Sequence, residues 1–257
     1  MKNAVLITGA SSGIGEAFAY KYAELGENLI LTARSKEKLE KLKNKLMEKF
    51  AIEVLIIVLD LSKENAAKEI YDKLEKEGIA VSALVNNAGY ATSGEFITNS
   101  FVSQHEQVML NVTSVVDLSY YILDNMNKIK KGVILNIALT GAFLPLPYMS
   151  VYGATKAFVL SFSEGLYEEY KNYGIKVIAV CPGPTETNFF ESAGPVSVGK
   201  FRTPKMVVDS TFKALGRNKN HVVDGVENRL VSLSSRFLTR KRMAKIIGNM
   251  LRKKLDK

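Results

Sequence analysis

Thr8-Gly9-Ala10-Ser11-Ser12-Gly13-Ile14-Gly15 follows directly on the apolar run Ala4–Thr8 and leads into a segment of helical character. In such a setting Gly9 permits a tight turn, Gly13 lets the backbone approach a pyrophosphate, and Gly15 allows a helix to pack closely on a sheet. Ser11, Ser12 and Ile14 complete the loop, and the N-terminus of the following helix offers free N–H groups to an anion. Alone, a glycine-rich turn is an ordinary strand-to-helix connection, so the surrounding sequence has to decide its meaning.

Outward from that loop, apolar runs recur at Asn28–Thr32, Glu53–Asp60, Ala83–Asn86, Val133–Ile137 and Lys176–Cys181. They are continuous rather than alternating, which predicts parallel strands covered on both faces. Between them lie helical patterns such as Arg34–Phe50, where Leu39, Leu42 and Leu46 form an apolar stripe and the Lys/Glu residues a solvated face. Regular alternation of this kind predicts an α/β fold, a Rossmann-type doubly wound parallel sheet. Its ligand is expected at the carboxyl ends of the strands, where the connectivity switches sides.

Composition bounds the function. The 257 residues are 47% apolar and 24% charged, as in a globular domain, and no run approaches the roughly 20 apolar residues of a membrane span. The first strand begins by Ala4, which leaves no room for a signal peptide and predicts a cytoplasmic address. The lone Cys181 excludes an internal disulfide, and with only His105 and His221 besides, no metal is expected. Of the net charge of +9, residues 1–235 carry +1, because nine Lys/Arg stand against Asp256 alone from Arg236 onward. Nucleic acid is therefore not an expected partner. With no linker or repeat, residues 1–235 read as one domain and 236–257 as a basic amphipathic helical extension of the same unit. The helix is expected near Arg236–Lys254, with Met243, Ile246, Ile247, Met250 and Leu251 on one face. That face packs on the body or on a second subunit in the preferred reading; the alternative is peripheral contact with an anionic membrane.

Three further segments sit at strand ends: Asp60-Leu61, Asn86-Asn87-Ala88-Gly89, and Tyr152-Gly153-Ala154-Thr155-Lys156 after the fifth strand. With the glycine loop they make the chain resemble the short-chain dehydrogenase/reductase family over essentially residues 3–225. The resemblance implies that Asp60 and Leu61 hold an adenine ring and that Asn86, Ala88 and Gly89 line the nucleotide. It also implies that Pro182, Gly183, Thr185 and Thr187 border the nicotinamide, and that the protein assembles as a homodimer or homotetramer. Taken singly, Asp60 is equally a helix cap and the Asn pair a turn. No acid closes the second strand; Arg34 stands there and can pair with a 2′-phosphate, so NADP(H) is the expected cofactor. Ser12 occupies the place where many NADP-using relatives carry a second basic residue.

Hydride transfer to a ketone needs a proton donor at the carbonyl oxygen, and a free tyrosine is too weak for that near neutrality. Four residues apart on a helix, Tyr152 and Lys156 share a face, so the ammonium is expected to lower the phenol pKa and to reach the ribose. Asn111 matches the family asparagine that holds a water in the proton relay. The departure is Leu139, which stands where the family carries a serine that orients the substrate carbonyl. Thr140 is the nearest substitute, but neighbouring side chains of an extended segment point oppositely, so loss of the hydroxyl is the preferred reading. Phe143, Leu144, Pro145, Tyr148, Met149, Phe189, Phe190 and Phe201 predict an apolar substrate cleft, suited to hydrophobic ketones or secondary alcohols, steroid-like ones included, under a lid from about Ser192 to Lys205. Three functions follow: an NADP-dependent oxidoreductase weakened at Leu139, a catalytically silent NADP(H)-binding scaffold or inactivated variant, and, more remotely, a nucleotide-sugar epimerase.

Overall fold

The computed structural model describes residues 1–187, Phe189 and residues 200–255. Seven strands form one parallel sheet: β1 (Asn3–Thr8), β2 (Leu29–Ala33), β3 (Val54–Val58), β4 (Ala80–Asn86), β5 (Gly132–Ile137), β6 (Ile175–Cys181) and β7 (His221–Val223), in the order β3-β2-β1-β4-β5-β6-β7. Chain direction across the sheet reverses between β1 and β4, and a ligand crevice opens at that switch. The six strand segments read from the sequence are all present with shifted ends; β7 has only three residues and no apolar run to reveal it.

Alternate strand residues feed two cores. Val5, Ile7, Leu29, Leu31 and Val85 pack under α1 (Gly13–Glu24), α2 (Lys36–Lys49) and α7 (Pro204–Gly216). Ala4, Leu6, Ile30 and Leu84 face the other way, toward α3 (Ala66–Glu77) and α5 (Ser114–Ile129). The intervening α4 (Phe101–Val108) runs into a π-helical turn, Met109–Thr113, before α5, and the long α6 (Ser150–Tyr170) leads from β5 to β6.

The expected basic helix is present as α9 (Arg240–Leu255), beginning later than Arg236, and a further helix, α8 (Val226–Ser234), precedes it across a turn. Met243 and Leu251 are buried and Ile247 packs on the group around Leu251, whereas Ile246 and Met250, on the same arc of the helix, are exposed. Of the expected lid, residues 192–199 lie outside the described residues, and Pro204 and Lys205 already belong to α7.

At the carboxyl ends of β4 and β5, Asn86 and Asn136 pair in register. Asn86 Nδ2 donates to Asn136 Oδ1 at 2.8 Å and to Ser119 Oγ at 3.2 Å, and Asn136 Nδ2 donates to Ser163 Oγ at 2.9 Å. This fully buried chain ties α5 and α6 to the sheet immediately behind the crevice. Removing one partner strands the others without water. Asn136→Ala is expected to destabilise the protein by roughly 1–3 kcal/mol, lowering the unfolding midpoint by about 2–10 °C. Thermal unfolding checks this, and an unchanged midpoint contradicts it.

Candidate active site

The crevice between β1 and β4 is a cavity of about 600 Å³. The glycine loop forms one side of it. Gly9 and Gly13 have φ of +61° and +60°, and a Cβ at Gly9 would lie 2.9 Å from Ala88 Cα, so the loop follows a path that side chains would block. Asn87 Nδ2 donates to the carbonyls of Thr8 (3.0 Å) and Gly9 (3.1 Å), while Thr8 Oγ1 accepts from the N–H groups of Asn87 and Ala88, both at 2.9 Å. A Cβ at Gly15 would strike Asn87 Nδ2 at 2.6 Å. Ser12 caps α1 without a side-chain bond, which leaves the first-turn N–H groups pointing at the cavity.

Of the residues singled out in the sequence, Gly9, Ser11, Ser12, Gly13, Ile14, Arg34, Asp60, Leu61, Ala88, Gly89, Tyr152, Lys156, Pro182, Gly183, Thr185 and Thr187 all line this one cavity. Three do not. Gly15 sits behind the loop as a packing position. Asn86 points into the buried network, because successive side chains at a strand end face opposite ways, and its neighbour Asn87 takes the cavity wall. Asn111 is fully buried in the π-helical turn, where Nδ2 donates to Tyr90 O (3.0 Å) and Thr155 Oγ1 (3.1 Å) and Oδ1 accepts from Tyr90 N (3.2 Å). Here it braces the Gly89–Tyr90 segment against α6. Sequence reading missed Lys38, on the first turn of α2, which joins Arg34 and Ser35 at the cavity edge.

Charge is graded along the cavity. At the Arg34 end, burial works to raise the Asp60 carboxyl, yet two hydrogen bonds from Ser62 and the charges of Arg34 and Lys63 hold it below its ordinary value. At the other end, Tyr152 and Lys156 are buried. Burial pushes the phenol above its ordinary 10.0, the reverse of the expected lowering, because Lys156 Nζ donates to Ile137 O at 2.7 Å and meets the Tyr152 ring only at 5.9 Å. Burial also lowers Lys156 from 10.5 to about 8, against a weaker opposing pull from Cys181. Tyr152 thus holds its proton at neutrality beside a lysine near the edge of its own titration.

Next to Tyr152 the wall is apolar. Leu139 lines the cavity, and Phe189 holds its ring 5.7 Å from that of Tyr152. Thr140 turns away, donating Oγ1 to Cys181 O at 3.2 Å. Met149, Tyr148 and Leu146 pack around Tyr152 together with Leu251 from α9. Phe143, expected in the cleft, instead packs in a separate core cluster against His221, Phe201 is exposed, and Phe190 lies outside the described residues. The wall from Pro182 to Thr187 is braced from behind: Arg202 N donates to Pro184 O and Glu186 N to Arg202 O, both at 2.9 Å. The Arg202 guanidinium in turn pairs with the buried Asp224 carboxylate, which also accepts from Ser210 Oγ at 2.6 Å.

A family model described as short chain dehydrogenase matches residues 3–196. The chain belongs to the short-chain dehydrogenase family. As such it is a member of a family of oxidoreductases acting between carbonyls and alcohols. It is 33% identical over 242 residues to the very-long-chain 3-oxoacyl-CoA reductase of Mus musculus, covering 91% of this chain and 76% of that protein. Among solved structures it resembles a short-chain dehydrogenase from Sphingobium yanoikuyae in complex with NADPH, at 32% identity and a TM-score of 0.83, covering 92% of this chain and 94% of that one. It also resembles the bulky-bulky ketone specific alcohol dehydrogenase from Comamonas testosteroni, at 33% identity and a TM-score of 0.78, with 92% of each chain covered.

The lysine carries a stability consequence. Lowering Lys156 to about 8 corresponds to roughly 3 kcal/mol favouring the neutral amine. Between that value and 10.5 the unfolded chain binds more protons than the folded one, so stability rises with pH there, while below about 8 the penalty is present in full. Lys156→Met is expected to be more stable than the parent at pH 7, with the difference shrinking as pH climbs from 8 to 10. Urea midpoints of both proteins across that range are the check; a difference that does not change with pH refutes the assignment.

Proposed function

We propose that the protein is an NADP(H)-dependent oxidoreductase that interconverts a bulky hydrophobic ketone and its secondary alcohol, with turnover weakened by Leu139. The observation that carries this is the opening of buried Tyr152 and Lys156 into the same cavity as the glycine loop and Arg34. The cavity suits a dinucleotide: glycines keep the loop free of side chains, α1 presents N–H groups, and Arg34 with Lys38 gives two cations where a 2′-phosphate would rest. Bound there, the nicotinamide supplies the hydride.

The chain's own residues supply the rest. Tyr152 keeps its proton at neutrality and donates it to a carbonyl oxygen. Lys156, when protonated, stabilises the phenolate left behind. Asn111 holds the segment from Gly89 to Tyr90 against α6 and so fixes the wall opposite Lys156. Leu139 and Phe189 favour apolar substituents on the carbonyl and keep water away. We further propose that the protein assembles as a homodimer or homotetramer and works in the cytoplasm, where its tail can meet a membrane surface.

The second reading, a cofactor-binding protein with little turnover, draws on Leu139 and on the commitment of Thr140 Oγ1 to Cys181 O. Both readings are tested by NADPH oxidation against a panel of bulky ketones, run beside direct binding. Binding with no turnover of any ketone selects the silent scaffold.

Two substitutions sharpen the test. Arg34→Asp is expected to shift the ratio of NADPH to NADH dissociation constants toward NADH by at least tenfold, because it replaces attraction to the 2′-phosphate with repulsion. A parent protein that binds NADH more tightly than NADPH would sink the cofactor assignment. Leu139→Ser is expected to raise kcat at least tenfold with little change in NADPH affinity, since an oxyanion donor contributes about 2.7–4 kcal/mol at the transition state. If Thr140→Val alone abolishes turnover and Leu139→Ser gains nothing, Thr140 is the working hydroxyl.

A further inference from the structure

Helix α9 carries one apolar arc, and the body covers only part of it. Inward, Leu251 is buried with Met149, Tyr152 and Ala91, and Ile247 and Leu255 pack on the same group. A Cβ at Gly248 would sit 3.4 Å from Pro147 Cβ and Cγ, so the helix backbone rides in contact with the segment entering α6. This face packs against the cluster that holds Tyr152, behind the cavity, whose lining includes no residue of α9.

Outward, the apolar arc continues past what the body covers. At 100° per residue Met250 and Ile246 lie next to Met243 around the helix, yet they are 43% and 46% exposed while Met243 is 6% exposed. Phe237, in the turn before α9, is 84% exposed, and Leu230 on α8 is 65% exposed. The rest of the outer arc is cationic: Lys241, Arg242, Lys245 and Lys253 are exposed, and α9 contains no acid. Among the described residues, no helix is long and apolar enough to cross a membrane.

Charge selects the occupant. A second copy meeting this face about a twofold axis would set one basic helix against another. A nucleic acid would satisfy the cations but leave Phe237, Ile246 and Met250 in water. An anionic bilayer surface takes both, with headgroups on the cations and the acyl boundary on the apolar edge. We propose that α8 and α9 dock the protein on anionic membrane surfaces, and that docking through α9, which packs against Tyr152, holds the cleft close to the lipid from which apolar substrates enter it. The entry route rests on the hydrophobic-ketone reading above; the docking itself does not.

Cosedimentation with phosphatidylcholine vesicles, with and without phosphatidylserine, tests docking on the full-length protein. Retention is expected only with phosphatidylserine, and is expected to fall at least tenfold in the triple variant Lys241→Glu/Arg242→Glu/Lys245→Glu and in Phe237→Ser/Ile246→Ser/Met250→Ser. NADPH oxidation tests the route: anionic vesicles should raise kcat/KM for a bilayer-partitioned ketone in the parent but not in the triple variants, with a water-soluble ketone turned over equally by all three proteins. Equal retention of parent and variants overturns docking. Absent retention, with the serine variant converting a dimer to a monomer in sedimentation velocity, assigns the face to a second copy and also overturns it. Retention without turnover of any ketone overturns the enzymatic reading and the route, and leaves docking in place.

Discussion

The turn after β1 has to cross the end of β4 at van der Waals distance, and much of the crevice is shaped by that approach. The crossing is held by side chain and backbone together: Thr8 Oγ1 takes the N–H groups of Asn87 and Ala88, and Asn87 returns its amide to the carbonyls of Thr8 and Gly9. Every glycine of the loop is explained by this contact or by the path it imposes. Gly9 has no room for a Cβ against Ala88, Gly15 none against Asn87, and Gly13 none against Thr187 on the opposite wall. A single polar clasp thus joins the ends of β1 and β4 and positions the helix N-terminus at the switch point where a ligand can enter.

Behind the clasp, the buried chain from Ser119 through Asn86 and Asn136 to Ser163 fixes α5 and α6, and α6 carries Tyr152 and Lys156. The fold then spends stability on chemistry at the far end of the cavity. A phenol raised by burial and an amine lowered by it are both held away from their solution behaviour, without a charged partner in direct contact. Such pairs of displaced titrations concentrate at functional sites, because burial that opposes folding is also what tunes an acid.

What could be read from the sequence was what is local. Strand runs, the glycine loop and the four-residue spacing of Tyr152 and Lys156 are set by neighbours along the chain, and all reappear in place. Side-chain direction at the end of a strand was less legible: of the adjacent pair Asn86 and Asn87, the emphasis fell on the residue that faces the core. Lys38 reaches the cavity because α2 begins at Lys36, a boundary that Ser35 sets by accepting from Lys38 N. Asn111 lies in a π-helical turn, and no periodicity in Leu110-Asn111-Val112 announces one. The packing of α9 against Tyr152 joins distant parts of the chain, and an amphipathic pattern says that a face is apolar, not what it touches.

Leu139 belongs to the same distant contact. In an extended backbone its side chain points into the cavity and that of Thr140 points away, and Thr140 is held there by Cys181 O while its N–H bonds to Pro182 O at 2.8 Å. Rotating the threonine hydroxyl toward the cavity would break its bond to Cys181 O, while the backbone bond to Pro182 O holds the residue's main chain in place at the end of β6. Leu139 instead joins an apolar group that runs through Tyr152 to Leu251 and Ile247. Leu139 and the C-terminal helix therefore meet in one apolar cluster around Tyr152, with Leu139 on its cavity side and α9 behind it. On the reading proposed above, an apolar cluster of this kind favours burial of an apolar substrate and offers no hydrogen bond to a developing oxyanion, which ties substrate affinity and turnover to the same side chains.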